Sequence, residues 1–221
     1  MIDLVALAAL VAALLADERK RARTGRGGPR PAPQHRAPWQ LAYVAEEVTD
    51  GFLAWFRANR PKGLLGRDFL MQVVTDPIWK EEMERASGGV RYLGHGSFRV
   101  VFDLGQAVLK VDFFPGERED NFLEAELWDW ALEHPETGLH EVIAPVLAVA
   151  QDGRWLLMER VRPCPLSKTR ALLEDIGDRL DALRPHGVHI EDVSLNNMGL
   201  SVEDNRLKVL DYAWYSLPGM P

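Results

Sequence analysis

The periodicity of this 221-residue sequence changes at Ser87-Gly88-Gly89, and that change limits the folds open to it. Before it, apolar residues recur at helical spacing. Leu41, Val44, Ala45, Val48, Phe52, Trp55 and Phe56 mark one face of a helix expected over about 38–59, which Arg60-Pro61-Lys62-Gly63 would end. Phe69, Leu70, Val73, Val74, Ile78, Trp79 and Met83 mark a second helical stretch over about 66–86. Pro77 is expected to split or kink that stretch, because proline has no amide to donate. After the change, short apolar runs alternate with turn residues. Segments 90–93, 97–103 and 107–113 read as a three-strand meander, and 121–133 as a helix. Segments 142–150 and 154–161 read as a hairpin around Gln151-Asp152-Gly153. A helix is expected over 166–183, then two short strands over 198–202 and 207–212. Helices first and a sheet afterwards predict an α+β fold.

Composition narrows the class. Hydrophobic residues make up 47% and charged residues 27%, which suits a packed core rather than a disordered chain. The single cysteine, Cys164, cannot form an internal disulfide or a cysteine-based zinc site, and it fits a reducing compartment. A cytoplasmic location is therefore expected, the host cytoplasm for a phage-encoded chain. The net charge of −7 is uneven: residues 19–36 carry seven basic side chains and no acid, leaving −14 on the remainder. So acidic a body argues against a duplex-DNA surface. The basic stretch overlaps Gly-Gly-Pro-Arg-Pro-Ala-Pro, which is linker chemistry. It reads as a solvated linker, or as a contact for an acidic partner, RNA or anionic lipid. Leu4 to Ala16 is an apolar run of thirteen, short of the roughly 20 residues that cross a hydrocarbon core. Asp3 stands where a secretory signal would carry positive charge. This run is expected to pack on another helix or a partner chain, or to lie on a membrane surface, so residues 1–36 form a candidate contact segment. The expected division is 1–37, apolar helix and basic linker; 38–88, helical region; and 89–221, the domain bearing the chemistry.

Four features carry that chemistry. Gly94-His95-Gly96-Ser97-Phe98 forms a hairpin tip where glycines would let backbone amides approach phosphate oxygens. Alone it is also an ordinary turn. Val108-Leu109-Lys110-Val111 places a lysine inside an apolar strand, pointing opposite to its neighbours. Facing the glycine turn, Lys110 would meet nucleotide phosphates; otherwise it is an exposed edge lysine. Glu124 or Glu126 on the following helix would hold it. Asp192 and Asn197 lie five apart in a loop, and Asp211 ends an apolar strand. Asn197 and Asp211 offer hard oxygens suited to Mg²⁺, and Asp192 is placed to accept a proton from, or orient, an attacking hydroxyl.

In this order the four features resemble the protein-kinase-like superfamily, which spans protein kinases, aminoglycoside and choline phosphotransferases and small phage and bacterial relatives. The resemblance covers about 120 residues, 91–212. Gly94-x-Gly96-x-Phe98-x-x-Val101 resembles the glycine-rich loop, with Ser97 at its tip, and Leu109-Lys110-Val111 the third-strand lysine. Leu157 to Val161 resembles the hinge, implying Met158 as gatekeeper and Glu159 and Val161 as backbone partners of an adenine. Asp192, Asn197 and Asp211 match the catalytic-loop and metal-binding positions. The resemblance implies a two-lobe core: a five-strand antiparallel sheet with one helix, and a minimal second lobe. It also implies ATP and Mg²⁺ as cofactors, phosphate contacts from Lys110, a Lys110–Glu124 pair, and Mg²⁺ held by Asn197 and Asp211. The expected function is a phosphotransferase acting on an unknown hydroxyl acceptor. The alternatives are a pseudokinase-like module that binds nucleotide or a protein partner without chemistry, and a structural role.

The departures are specific. Arg99 stands where the loop's third glycine is usual, so the loop is expected to close less freely over phosphate. Ile190 replaces a histidine, and Tyr212-Ala213 replaces Phe-Gly. The sequence ends at Pro221, eight residues after Ala213, without an activation segment, so a protein substrate is not implied. The helical region is expected to fill the space of the missing helices.

Overall fold

A computed structural model describes residues 39–162, 169–191 and 193–218. The apolar run Leu4 to Ala16, the basic linker and Asp192 lie outside the described residues.

The first half of the described chain is helical for the reasons its spacing gives. Helix α1 (Trp39–Asn59) buries Leu41, Ala45, Val48, Phe52 and Phe56 along one face. Helices α2 (Gly66–Thr75) and α3 (Pro77–Ala86) meet at Asp76, whose carboxylate accepts the Ile78 and Trp79 amides at 2.9 and 3.3 Å. Pro77 occupies the first helical position, where its missing amide costs nothing, so it splits the stretch by starting a helix.

Strands β1 (Arg91–His95), β2 (Arg99–Asp103), β3 (Ala107–Asp112), β4 (Val146–Val149) and β5 (Trp155–Glu159) form a five-strand antiparallel sheet in the order β1-β2-β3-β5-β4. Helix α4 (Asp120–Glu133) follows β3. Beyond it lie β6 (Val161–Arg162), α5 (Thr169–Leu183), β7 (His189–Ile190), β8 (Met198–Ser201), β9 (Leu207–Val209) and β10 (Tyr215–Ser216). β6, β8 and β9 make a small antiparallel sheet, and β7 pairs with β10. The described fold is α+β. Two expected strands are shorter than their apolar runs: residues 142–145 and 210–212 leave the ladder, and Tyr212 instead sends its hydroxyl to the Ala144 carbonyl at 2.6 Å.

Alternation along β3 separates two cores. Leu109 and Val111 join Phe52, Phe56, Phe69 and Phe102 above the sheet. Ring centroids there sit close together: Phe52 to Phe102 at 5.5 Å, Phe56 to Phe113 at 5.4 Å and Phe56 to Phe69 at 5.6 Å. On the opposite side, Leu156 and Met158 join Leu127, Ile143, Val209 and Tyr212. The expectation that the helical region takes the place of missing C-terminal helices is therefore corrected. α1 to α3 pack on the sheet's upper face, because their aromatic stripe matches the apolar face of β2 and β3. Arg154 strengthens this docking by pairing with Asp50 at 2.6 Å and with Glu46.

The helical layer approaches itself closely at Gly51, where an added Cβ would lie 2.1 Å from the Ala86 carbonyl oxygen. In an open helix, alanine for glycine stabilises by about 1 kcal/mol. Here Gly51→Ala should lower the melting temperature instead, as a thermal denaturation curve against wild type will report.

Candidate functional site

The glycine turn follows from the β1–β2 register, which pairs Gly94 with Val101 and His95 with Val100. The Gly96 amide donates to the Arg99 carbonyl at 2.8 Å, closing the tip. Neither Gly94 nor Gly96 has a positive φ, and a Cβ on either would meet nothing within 4 Å. The fold does not require glycine there; its presence keeps the space above the turn clear. Ser97 and Phe98 are exposed at the tip. The Phe98 ring lies 3.8 Å from the Arg118 guanidinium, which also faces the Trp214 ring at 5.8 Å. One cation thus links the turn to the segment after Asp211.

Lys110 lies on the face opposite Leu109, paired in register with Val101 and Leu156. Its ammonium donates to Glu124 at 2.9 Å (Oε1) and 2.7 Å (Oε2), and to the Leu210 carbonyl. The expected choice between Glu124 and Glu126 is decided: Glu124 is fully buried against Lys110, whereas Glu126, two residues on, is exposed.

Sequence reasoning named Arg99 only for the glycine it replaces. It is the first residue of β2, within the expected strand 97–103, and it is buried and turned inward. Its guanidinium donates to Glu124 at 2.8 Å, to Asp211 at 2.6 Å and to Asn121 at 3.2 Å. The reason is register: Arg99 opposes Asp112 while Val101 opposes Lys110, so Arg99 and Lys110 share a face. Both reach for α4. Asn121 is fixed in turn by donating to the Gly153 carbonyl at 2.7 Å. Arg99, Asn121, Arg118 and Trp214 were missed because they show only once this register brings them together.

The electrostatics follow from burial and pairing. Burial pushes the Lys110 ammonium below its ordinary pKa, with Glu124 opposing. Burial would lower Arg99 too, but the Glu124 and Asp211 carboxylates overcome it and hold it charged. Burial would raise Asp211, yet the Arg99 and Lys110 cations hold it below the usual carboxylate range. Two cations and two carboxylates therefore form a neutral cluster between β2, β3, α4 and the segment after β9.

The remaining expected residues flank this cluster. Met158 is fully buried, paired with Val108 and Val146. Glu159 ends the five-strand sheet and Val161 opens the small one, opposite Ser201. Burial raises the Glu159 carboxyl, although Ser201 donates its hydroxyl to it at 2.9 Å. The Leu210 amide donates to the Asn197 carbonyl at 2.8 Å, so Asn197 adjoins the residue before Asp211. Asp192 itself is outside the described residues. Its flanks are tied to the segment after Asp211, through Glu191 to the Trp214 carbonyl at 2.8 Å and through the Ile190–Tyr215 pair. Searches against models of protein families and against curated proteins find no match.

The Lys110–Glu124 pair yields a stability test. Removing one partner of a buried pair typically costs 3–5 kcal/mol, because the other charge is stranded. Because Arg99 still donates to Glu124, Lys110→Met should destabilise by less than that in chemical denaturation. Adding Glu124→Leu should restore part of the loss, since Arg99 keeps Asp211.

A second test uses Glu159. Because its folded pKa is raised above the ordinary 4.5, the ionised side chain destabilises the fold above that pH and ceases to do so below it. Glu159→Gln should raise the melting temperature at neutral pH, with the gain vanishing as the pH falls below about 4.5.

Proposed function

We propose that this chain binds a nucleotide with Mg²⁺ on a protein-kinase-like two-lobe core and transfers a phosphoryl group to a hydroxyl acceptor. One observation carries the reading: Lys110, buried on the sheet face below the glycine turn, is held by Glu124 of α4 within reach of the segment bearing Asp211. An isolated surface lysine needs no such pair. Placing a buried cation beside an open glycine turn supports a site for polyphosphate.

In this reading the five-strand sheet with α4 is one lobe, and the small sheets with α5 are a minimal second lobe. Lys110 meets the phosphates, and the turn from Gly94 to Phe98 lies over them. Met158, Glu159 and Val161 line the strand connection where a nucleobase would stack. Among the described residues no group of three or more His, Cys, Asp or Glu is placed to hold a metal ion. Mg²⁺ needs no such group, since it takes one or two protein oxygens and shares the rest with phosphates and water. Asn197 and the partly exposed Asp211 would supply those oxygens. A Mg²⁺ ion held by them would supply charge neutralisation at the phosphates. Asp192 orients the acceptor hydroxyl or takes its proton.

A second reading is a binding module without chemistry. It is favoured by the Arg99–Asp211 contact at 2.6 Å, which satisfies a carboxylate oxygen that a metal would need.

Thermal shift and transfer assays separate the readings. Mg·ATP at about 100 times its dissociation constant should stabilise the protein by about 2.7 kcal/mol. No shift at millimolar ATP rejects nucleotide binding. Label transfer from ATP that Asp192→Ala abolishes supports catalysis, whereas binding with transfer no greater than in that variant leaves the binding module.

A further inference from the structure

Arg99 carries an inference that rests on the nucleotide and Mg²⁺ reading. The same nitrogen, Nη2, donates to Glu124 Oε1 at 2.8 Å and to Asp211 Oδ1 at 2.6 Å, while Nη1 donates to Asn121 Oδ1 at 3.2 Å. The Arg99 side chain is only 8% exposed, whereas that of Asp211 is 46% exposed. Asp211 therefore faces an accessible space with one oxygen already taken from behind by a buried guanidinium.

A guanidinium and a divalent cation repel, so each weakens the hold of the other on one carboxylate. With Arg99 in place, Asp211 offers one oxygen and a neutralised charge, and Asn197 adds only a neutral amide. A metal ion arriving alone finds a poor site. Arg99 also has somewhere to go. It follows the glycine turn directly and shares the Lys110 face of the sheet, so a phosphate bound between the turn and Lys110 would lie beside its guanidinium.

We propose that Arg99 competes with the divalent metal for Asp211 and is drawn off it by the nucleotide's phosphate oxygens, so that metal and nucleotide bind as a coupled pair. Two ion pairs exchange partners and no charge is left unpaired. Arg99 passes from Asp211 to phosphate, and Asp211 passes from Arg99 to the metal. Arg99 is thus a positioning residue that sets metal affinity.

The test titrates Mn²⁺, read directly by electron paramagnetic resonance, into the full chain, and measures ATP affinity with and without Mn²⁺ by thermal shift. Wild type should bind Mn²⁺ alone weakly, and Mn²⁺ should tighten ATP binding at least tenfold. Arg99→Gln should bind Mn²⁺ alone about tenfold tighter and lose most of the effect of Mn²⁺ on ATP, an energy of about 1.4 kcal/mol. Adding Asp211→Asn to Arg99→Gln should cancel that tightening. Tightening that survives this second substitution does not come from Asp211, and that outcome overturns the proposal. So does a folded Arg99→Gln whose Mn²⁺ affinity stays within twofold of wild type. Should Arg99→Gln lose its melting transition, Arg99→Lys keeps the charge on a shorter side chain that holds Asp211 less closely. It should tighten Mn²⁺ about threefold, and no change there overturns the proposal equally. Failure of wild type to bind ATP, with the Mn²⁺ response to Arg99 intact, strikes the nucleotide reading and leaves the competition at Asp211 standing.

Discussion

Glu124 is fully buried, and a buried carboxylate is tolerable only when its charge is met. Lys110 and Arg99 both meet it, from adjacent strands, and that convergence fixes much of the structure around it. It sets the height of α4 over the sheet, since Glu124 must sit between β2 and β3. It also binds the segment after β9, because Arg99 extends to Asp211 and Lys110 to the Leu210 carbonyl. The contact between the five-strand sheet and the small sheets is therefore polar at its centre and apolar around it, with Tyr212 and Ile143 packed beside the cluster. A cluster of this kind adds less net stability than an apolar core of equal volume, but it tolerates far fewer arrangements. This specificity is what a site needs.

The sheet is also buried on both faces, which explains the texture of β3. A strand covered on one side alternates apolar and polar residues, but β3 reads Ala-Val-Leu-Lys-Val-Asp with apolar residues at both parities. Leu109 and Val111 face the aromatic layer of α1 to α3, and Val108 packs toward Met158 and α4. Lys110 is polar within an apolar strand only because Glu124 waits opposite it. The helical layer thus stays clear of the cluster. It backs the sheet, so β2 and β3 present their polar residues to α4 from a rigid platform.

Much of this was legible in the sequence. The stripe from Leu41 to Phe56 predicted α1, Pro77 predicted the break that Asp76 caps, and strand and helix order singled out Lys110 with Glu124 or Glu126 as its partner. The pairing partner of Asp211 was not legible. Arg99 sits beside a glycine turn in the chain, so local reasoning weighed only its effect on that turn. Only the antiparallel register, which sets Arg99 against Asp112 and Val101 against Lys110, turns it inward. Register is a long-range property, specified by which faces are buried, and no window of residues around Arg99 contains that information. The placement of α1 to α3 was missed for the same reason. An amphipathic stripe states that a helix packs on something, and the apolar face of β2 and β3 decides what.

The Arg118 bridge shows how the exposed edge of the cluster is finished. Arg118 is held by Asp120 at 3.1 Å and lies between Phe98 of the turn and Trp214. Phe98 and Trp214 are both substantially exposed, which is costly for large apolar rings unless a neighbour shields one face of each. The cation supplies that neighbour without closing the space between turn and cluster, since a guanidinium stacks on rings while keeping its edges hydrated. The exposed turn is thereby tied to the segment that carries Asp211 through contacts weak enough to part. Behind it, the buried contacts of Lys110 and Arg99 with Glu124 are much stronger. The entrance can therefore rearrange around an incoming anion while the Glu124 core holds its geometry, and this difference in strength is the physical basis for expecting exchange at Asp211 rather than at Glu124.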